Sequence, residues 1–204
     1  MLFGRRAVQI AGIAVSVGLL LSACGGSAKP SAQNPPTRTL APYLVRSGEE
    51  TGFSLSGAPT LFSSAASWGA GDADAKAEAT RLQSEGFRAV LLQNTSTTAG
   101  RAGVSWVLLL KSPAAALSEE QSQLNADIAE NSPATRFTSA QVPTSEGYTA
   151  QGTGFAVANL LFVEGRCVLL VGDQGNAGTN SSPPVIAGAL KIYDRTNSSG
   201  GACA

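Results

Sequence analysis

Four nearly unbroken apolar runs constrain this chain more than anything else in it. They are FRAVLLQ (87–93), VSWVLLL (104–110), FAVANLLFV (155–163) and RCVLLV (166–171). Runs of this length, rich in β-branched and aromatic residues, fit buried strands better than helices. Their lack of alternation places them at a sheet centre or under cover on both faces. Glu164-Gly165 lies between the last two, which predicts a tight hairpin. The turn-like NTSTTAGRAG between the first two predicts a second hairpin with a longer loop.

Helical signals fall between and after these pairs. Asp72 and Asp74 open a helix over 72–85, with Ala75, Ala79 and Leu82 on one face. Ser112-Pro113 starts a second helix, a cap followed by proline in the first turn. In it Leu117, Leu124 and Ile128 read as the buried stripe, and Glu119, Glu120 and Asp127 as the wet face. Ser182-Pro183-Pro184 caps a third, ending near Arg195, with Ile186, Ala189, Leu190 and Tyr193 inward. Shorter strands are expected over 136–141 and 147–151, and brief strands and turns between Tyr43 and Phe62. This order predicts an α+β fold: a mainly antiparallel sheet with about three helices packed on one face.

The N-terminus is organised differently. Arg5-Arg6 precede an apolar run, 7–21, and then the small residues Ser22 and Ala23. Fifteen helical residues reach roughly 22 Å, short of the ~30 Å hydrocarbon core, so the run reads as a secretory leader. Leu21-Ser22-Ala23-Cys24 resembles the lipobox of bacterial lipoproteins. That resemblance implies a cut after residue 23 and a diacylglyceryl group on the Cys24 thiol, anchoring the chain to the outer face of a membrane. Two acyl chains on one residue give a stable anchor where one gives only marginal binding. Residues 24–41, rich in Pro, Ser and Gly, read as a flexible linker. A single domain then spans 42–197, and 198–204 is a Ser/Gly-rich tail.

The chain contains no histidine, which excludes Ser-His-Asp and Cys-His catalysis and histidine metal sites. Without the leader, 12 basic residues face 14 acidic ones and form no basic stripe, so no nucleic-acid partner is expected. No cofactor or metal motif is present in the sequence. Two further cysteines remain, Cys167 and Cys203. Outside the cytoplasm they form a disulfide if geometry permits; the alternative is a buried free Cys167 and a frayed Cys203.

The place to look for a ligand is the glycine-rich loop GDQGNAGTNSS, with Gly172, Gly175, Gly178 and Ser182 between an apolar strand and a helix N-terminus. It lacks the lysine of a phosphate-binding loop, and a plain surface loop is the competing reading. Asn159 is the odd residue within its apolar run: a buried amide needs partners, from a strand edge, a bulge or a pocket. Ser63, Ser64 and Ser67 lack any nucleophile motif, so a hydrolase would need a serine–lysine pair. Glu49-Glu50 and Glu119-Glu120 read as solvated surface.

Beyond the leader, three segments resemble uncharacterised actinobacterial envelope proteins. They are Glu50-Thr51-Gly52-Phe53, the Arg81-Leu82 to Gly86-Phe87 helix end, and the strand pair from Asn159 to Gly172. The expectation is a lipid-anchored envelope protein whose domain is a non-catalytic binding or interaction module. Its partners would be the membrane, through the anchor, and an envelope protein or apolar small ligand. A structural accessory subunit is the alternative.

Overall fold

The computed structural model describes residues 35–70, 74–197 and 201–204. Its helices are α1 (Pro35–Leu40), α2 (Ala65–Trp68), α3 (Ala75–Ser84), α4 (Pro113–Glu130) and α5 (Ser182–Thr196). Its strands are β1 (Ser54–Phe62), β2 (Ala89–Ser96), β3 (Ala102–Leu109), β4 (Ala134–Thr138), β5 (Glu146–Gly152), β6 (Phe155–Glu164) and β7 (Cys167–Gly175). The seven strands form one sheet, ordered β1-β2-β3-β7-β6-β5-β4. Every neighbouring pair is antiparallel. The fold is α+β.

The four apolar runs are the middle of this sheet, β2, β3, β7 and β6. The β6–β7 hairpin turns at Gly165-Arg166, one residue later than the sequence reading, because Glu164 pairs with Cys167. Gly165 takes φ +52°, a left-handed value that glycine adopts without strain.

The helices lie on both faces, not one. Along β7, Leu169 and Val171 share a cluster with Val185, Ala189 and Ile192 of α5. The alternating Val168 and Leu170 join Ala116 and Leu124 of α4. Successive strand residues point to opposite faces, so α5 and α4 are on opposite sides. The continuous apolar runs required this, since a sheet open on one side alternates.

Other boundaries shift. α1 falls within the expected linker, and Leu40 is fully buried, so the folded domain starts before residue 42. Segment 54–62 is one continuous edge strand, with its pairing to β2 interrupted between Ser56 and Thr60. α3 starts at Ala75, with Asp74 in the cap position making no side-chain cap bond; Asp72 is outside the described residues. The Ser112 hydroxyl caps α4, accepting from the Ala115 amide at 3.3 Å. α5 is preceded by Ser181 in the cap position, without a side-chain cap bond, and its buried face is turned toward Val185, Gly188 and Ile192.

The C-terminus is fixed to the sheet. Cys203 is disulfide-bonded to Cys167, 36 positions earlier, and both are buried. The Arg166 amide donates to the Cys203 carbonyl at 2.7 Å, and its Nε to the Ala202 carbonyl at 3.0 Å. Cys24 and the whole leader lie outside the described residues. Among the described residues, no helix is long and apolar enough to cross a membrane.

Candidate functional site

The glycine-rich loop does not form a cradle. Gly172 lies inside β7, Gly175 ends that strand against Thr179, and Gly178 turns in open space at φ +82°. Ser182 is the first residue of α5, and its amide donates to Asn180 Oδ1 at 3.4 Å. Asp173 places a buried carboxylate next to the loop, which opposes an anion there.

Asp173 belongs to a polar cluster at the end of the sheet. On its own face it lies in line with Gly103 of β3 and Thr95 of β2. Arg101, from the β2–β3 turn, pairs with Asp173 and lies over the Phe53 ring at 5.2 Å. Thr95 Oγ1 donates to Glu50 Oε2 at 2.9 Å. Gly103 makes room for this, since a Cβ there would come within 2.3 Å of Thr95 Oγ1. Glu50 is 1 % exposed, so it is not solvated surface. Burial pushes its carboxyl up to about 7; the Asp173 charge adds to this, while the Thr95 bond and Arg101 oppose it. Burial also raises Asp173, against the Arg101 hydrogen bond. The cluster holds a proton near neutrality and ties three segments together.

A second polar layer lies beneath α4: Leu124 is buried and Ile128 packs against the core as the sequence reading has them, but the buried face extends over the acidic residues assigned to water. Glu119, Glu120, Gln123 and Asp127 are buried, whereas Leu117 is 52 % exposed. Positions 119, 123 and 127 recur every four residues and form one inward stripe. Glu119 is clasped by Arg81 of α3. Gln123 Nε2 donates to Asp127 Oδ1 at 2.7 Å. Asn131 donates to the Asp127 carbonyl at 2.8 Å and to the Tyr148 hydroxyl at 3.3 Å. The same hydroxyl accepts from Asn159 Nδ2 at 2.9 Å, which gives that odd amide its partner. Burial, reinforced by the Asp127 charge, holds the Tyr148 phenol well above its ordinary value. Burial raises Glu120 to about 7, with the Glu146 charge adding to it.

Between α3 and α4 a cleft of about 220 Å³ opens onto this layer. Asp74 before α3, Ala77, Glu78 and Arg81 of α3, and Ser122, Gln123 and Ala126 of α4 line it. Arg81 donates from Nε and Nη2 to Glu78 at 3.0 and 2.7 Å, and from Nη1 to Glu85 at 3.0 Å and to Glu119. Sequence reasoning missed Arg81 and Gln123 because it assigned the charges of α4 to solvent; the four-residue recurrence 119-123-127 was the signal available.

Ser64 and Ser67 have a structural use. The Ser64 hydroxyl accepts from the Ser67 amide at 3.1 Å and donates to Ser67 Oγ at 2.9 Å, capping α2. No group of three or more acidic or cysteine side chains among the described residues is placed to hold a metal ion.

No protein-family model and no curated protein matches the chain. Its fold is similar to that of the extracellular domain of PknH from Mycobacterium tuberculosis. The TM-score is 0.55 at 15 % identity, over 79 % of this chain and 96 % of that one.

Proposed function

We propose that this chain is a lipid-anchored cell-envelope protein, tethered through Cys24, whose domain works by binding rather than catalysis. Its binding place is the cleft between α3 and α4. The leader and Leu21-Ser22-Ala23-Cys24 support the anchor. The likeness of fold to an extracellular domain supports an extracytoplasmic setting. The observation that supports the binding reading is the polar side of α4: besides Leu124, the helix buries Glu119, Gln123 and Asp127 beside an open cleft. Burying such groups is costly unless they are paired or used. The charged Asp74, Glu78 and Arg81 beside Ala77 and Ala126 support a ligand with both a polar group and an apolar part.

Native mass spectrometry of the full chain, extracted from its host membranes, tests the reading. A reproducible adduct lost on Ala126→Leu, which fills the cleft, is the expected result; a bare mass removes the binding role. Cys24→Ala tests the anchor, since unchanged membrane fractionation and processing would remove it.

The edge strand β1 favours a second reading. Seven of its nine residues are exposed, and it carries no charged side chain. Pro59 and the irregular pairing between Ser56 and Thr60 blunt its second half, which leaves Ser54–Ser56 as the part that could accept a strand from a protein partner. Cross-links from Leu55 or Ser56 to one envelope protein in intact cells would favour it.

A further inference from the structure

We propose that residues 46–53 form a latch over one end of the sheet, closed while Glu50 holds a proton and loosened once that proton is lost to water. The segment contains no helix or strand, and both its ends are fixed. Before it, the Val45 amide donates to Ser105 Oγ at 3.1 Å; after it, Ser54 opens β1. Gly48 and Gly52, at φ +81° and +83°, let it turn twice. Within it only Glu50 and Phe53 are buried. Its amides bond inside the segment, Arg46 to Glu49 Oε2 at 2.7 Å and Phe53 to the Glu50 carbonyl at 3.0 Å. Among the described residues, two polar contacts reach it from outside: Thr95 on Glu50, and Arg195 on Glu49. Arg101 adds its cation–π contact with Phe53.

Glu50 is the part of the latch that can change. It and Asp173 are each 1 % exposed, and the cation beside them, Arg101, is paired with Asp173. Glu50 Oε1 and Asp173 Oδ1 are buried without a hydrogen-bond partner. A buried carboxylate with no cation of its own is costly, whereas the protonated acid is neutral and can donate. The groups facing Glu50 are Thr95 of β2, Arg101 of the β2–β3 turn and Asp173 of β7. α5 packs on it through Gly188, where a Cβ would lie 3.7 Å from Glu50 Cβ, and the charge α5 turns to the segment, Arg195, is held by Glu49. A Glu50 carboxylate therefore gains hydration by leaving with its segment.

The direction follows from linkage. Closed, Glu50 titrates near 7, raised by burial and the Asp173 charge against Thr95 and Arg101; out in water it returns to its ordinary 4.5. Between these values the closed form keeps a proton that the open form has given up, so each pH unit upward favours opening about tenfold. The change totals about 300-fold and ends at 7.

The test is amide exchange of the full chain in detergent micelles from pH 4.5 to 8, corrected for the intrinsic pH dependence of exchange. Protection of the Glu49 and Phe53 amides should fall up to pH 7, by as much as about 300-fold, and then level off. Glu50→Gln, which cannot ionise, should hold it constant. Carboxyl-carbon NMR of the parent needs no variant, and the Glu50 signal should titrate near 7. Protection that does not vary with pH overturns the latch, as does a fall that Glu50→Gln leaves in place, or a Glu50 carboxyl that titrates at 4.5. An equal loss of protection at Val107, in the middle of the sheet, overturns it too, because the whole domain would then be opening.

Discussion

Asn159 and Gly172 are opposite one another on β6 and β7, and the glycine makes space for the amide. A Cβ at Gly172 would come within 2.3 Å of Asn159 Oδ1. The amide's Nδ2 is held by the Tyr148 hydroxyl, so it cannot turn away without losing that bond. Gly172→Ala should therefore destabilise the domain by about 1–3 kcal/mol in urea unfolding. The double variant with Asn159→Ala should cost less than the two changes summed, since the clash is gone. Full additivity would show that the pair is not the cause.

Stability should rise as pH falls. Glu50 and Glu120 titrate near 7 in the folded chain against an ordinary 4.5. Between those values the folded state holds protons that the unfolded chain has released, so acidification favours folding. The gain starts as pH drops through 7 and is complete below 4.5, at most about 3 kcal/mol per residue. Melting temperatures at pH 8 and 5.5 measure it. Glu50→Gln and Glu120→Gln should each raise stability at pH 8 and flatten part of the slope. A slope unchanged in both variants would place the protons elsewhere.

The central strands were legible because burial on both faces leaves an unmistakable run: VSWVLLL and RCVLLV can hardly lie anywhere but mid-sheet. The width of the inner face of α4 was not. Periodicity marks the apolar stripe, which does hold Leu124 and Ile128, but not how far burial extends beyond it, and assigning Glu119 to water is sound unless a partner is at hand. That partner, Arg81, is on another helix, 38 residues away. Likewise Glu50 next to Glu49 reads as surface, yet of the two it is Glu49 that forms an ion pair, with Arg195. Leu40 was lost to the linker because Pro35-Pro36 obscured a helical turn whose burial depends on distant strands. Such pairings are tertiary and leave no local trace.

The Cys167–Cys203 disulfide should contribute about 4 kcal/mol through closure of its 36-residue separation, in the chain-entropy model. Cys203→Ser should lower the urea midpoint accordingly. It should also speed amide exchange at Arg166, whose N–H donates to Cys203. Unchanged exchange at Arg166 would mean that the tail stays docked without the bond.

Arg195 ties α5 to the start of the domain. Its Nε donates to the Pro42 carbonyl at 2.8 Å, its Nη2 to the Leu44 carbonyl at 2.7 Å, and its Nη1 pairs with Glu49. Lysine cannot reproduce that fork. Arg195→Lys should cost about 2 kcal/mol and increase proteolysis near residues 42–49. A variant as protease-resistant as the parent would show that the apolar contacts of Tyr43 and Leu44 suffice.

Arg81 is the link between α3 and the buried side of α4. Glu119 is fully buried, and Arg81 supplies its opposite charge. Breaking a buried pair from one side typically costs 3–5 kcal/mol, because the remaining charge keeps its desolvation penalty. Arg81 is 30 % exposed, so water relieves part of this, and Arg81→Met should cost about 2–3 kcal/mol. Adding Glu119→Gln to that variant removes the stranded charge and should restore at least half of the loss. The comparison separates charge from packing, since both variants carry the same methionine in place of Arg81. If the second substitution only worsens stability, then Glu119 is held by other contacts, and the ion pair is not what keeps α3 against α4.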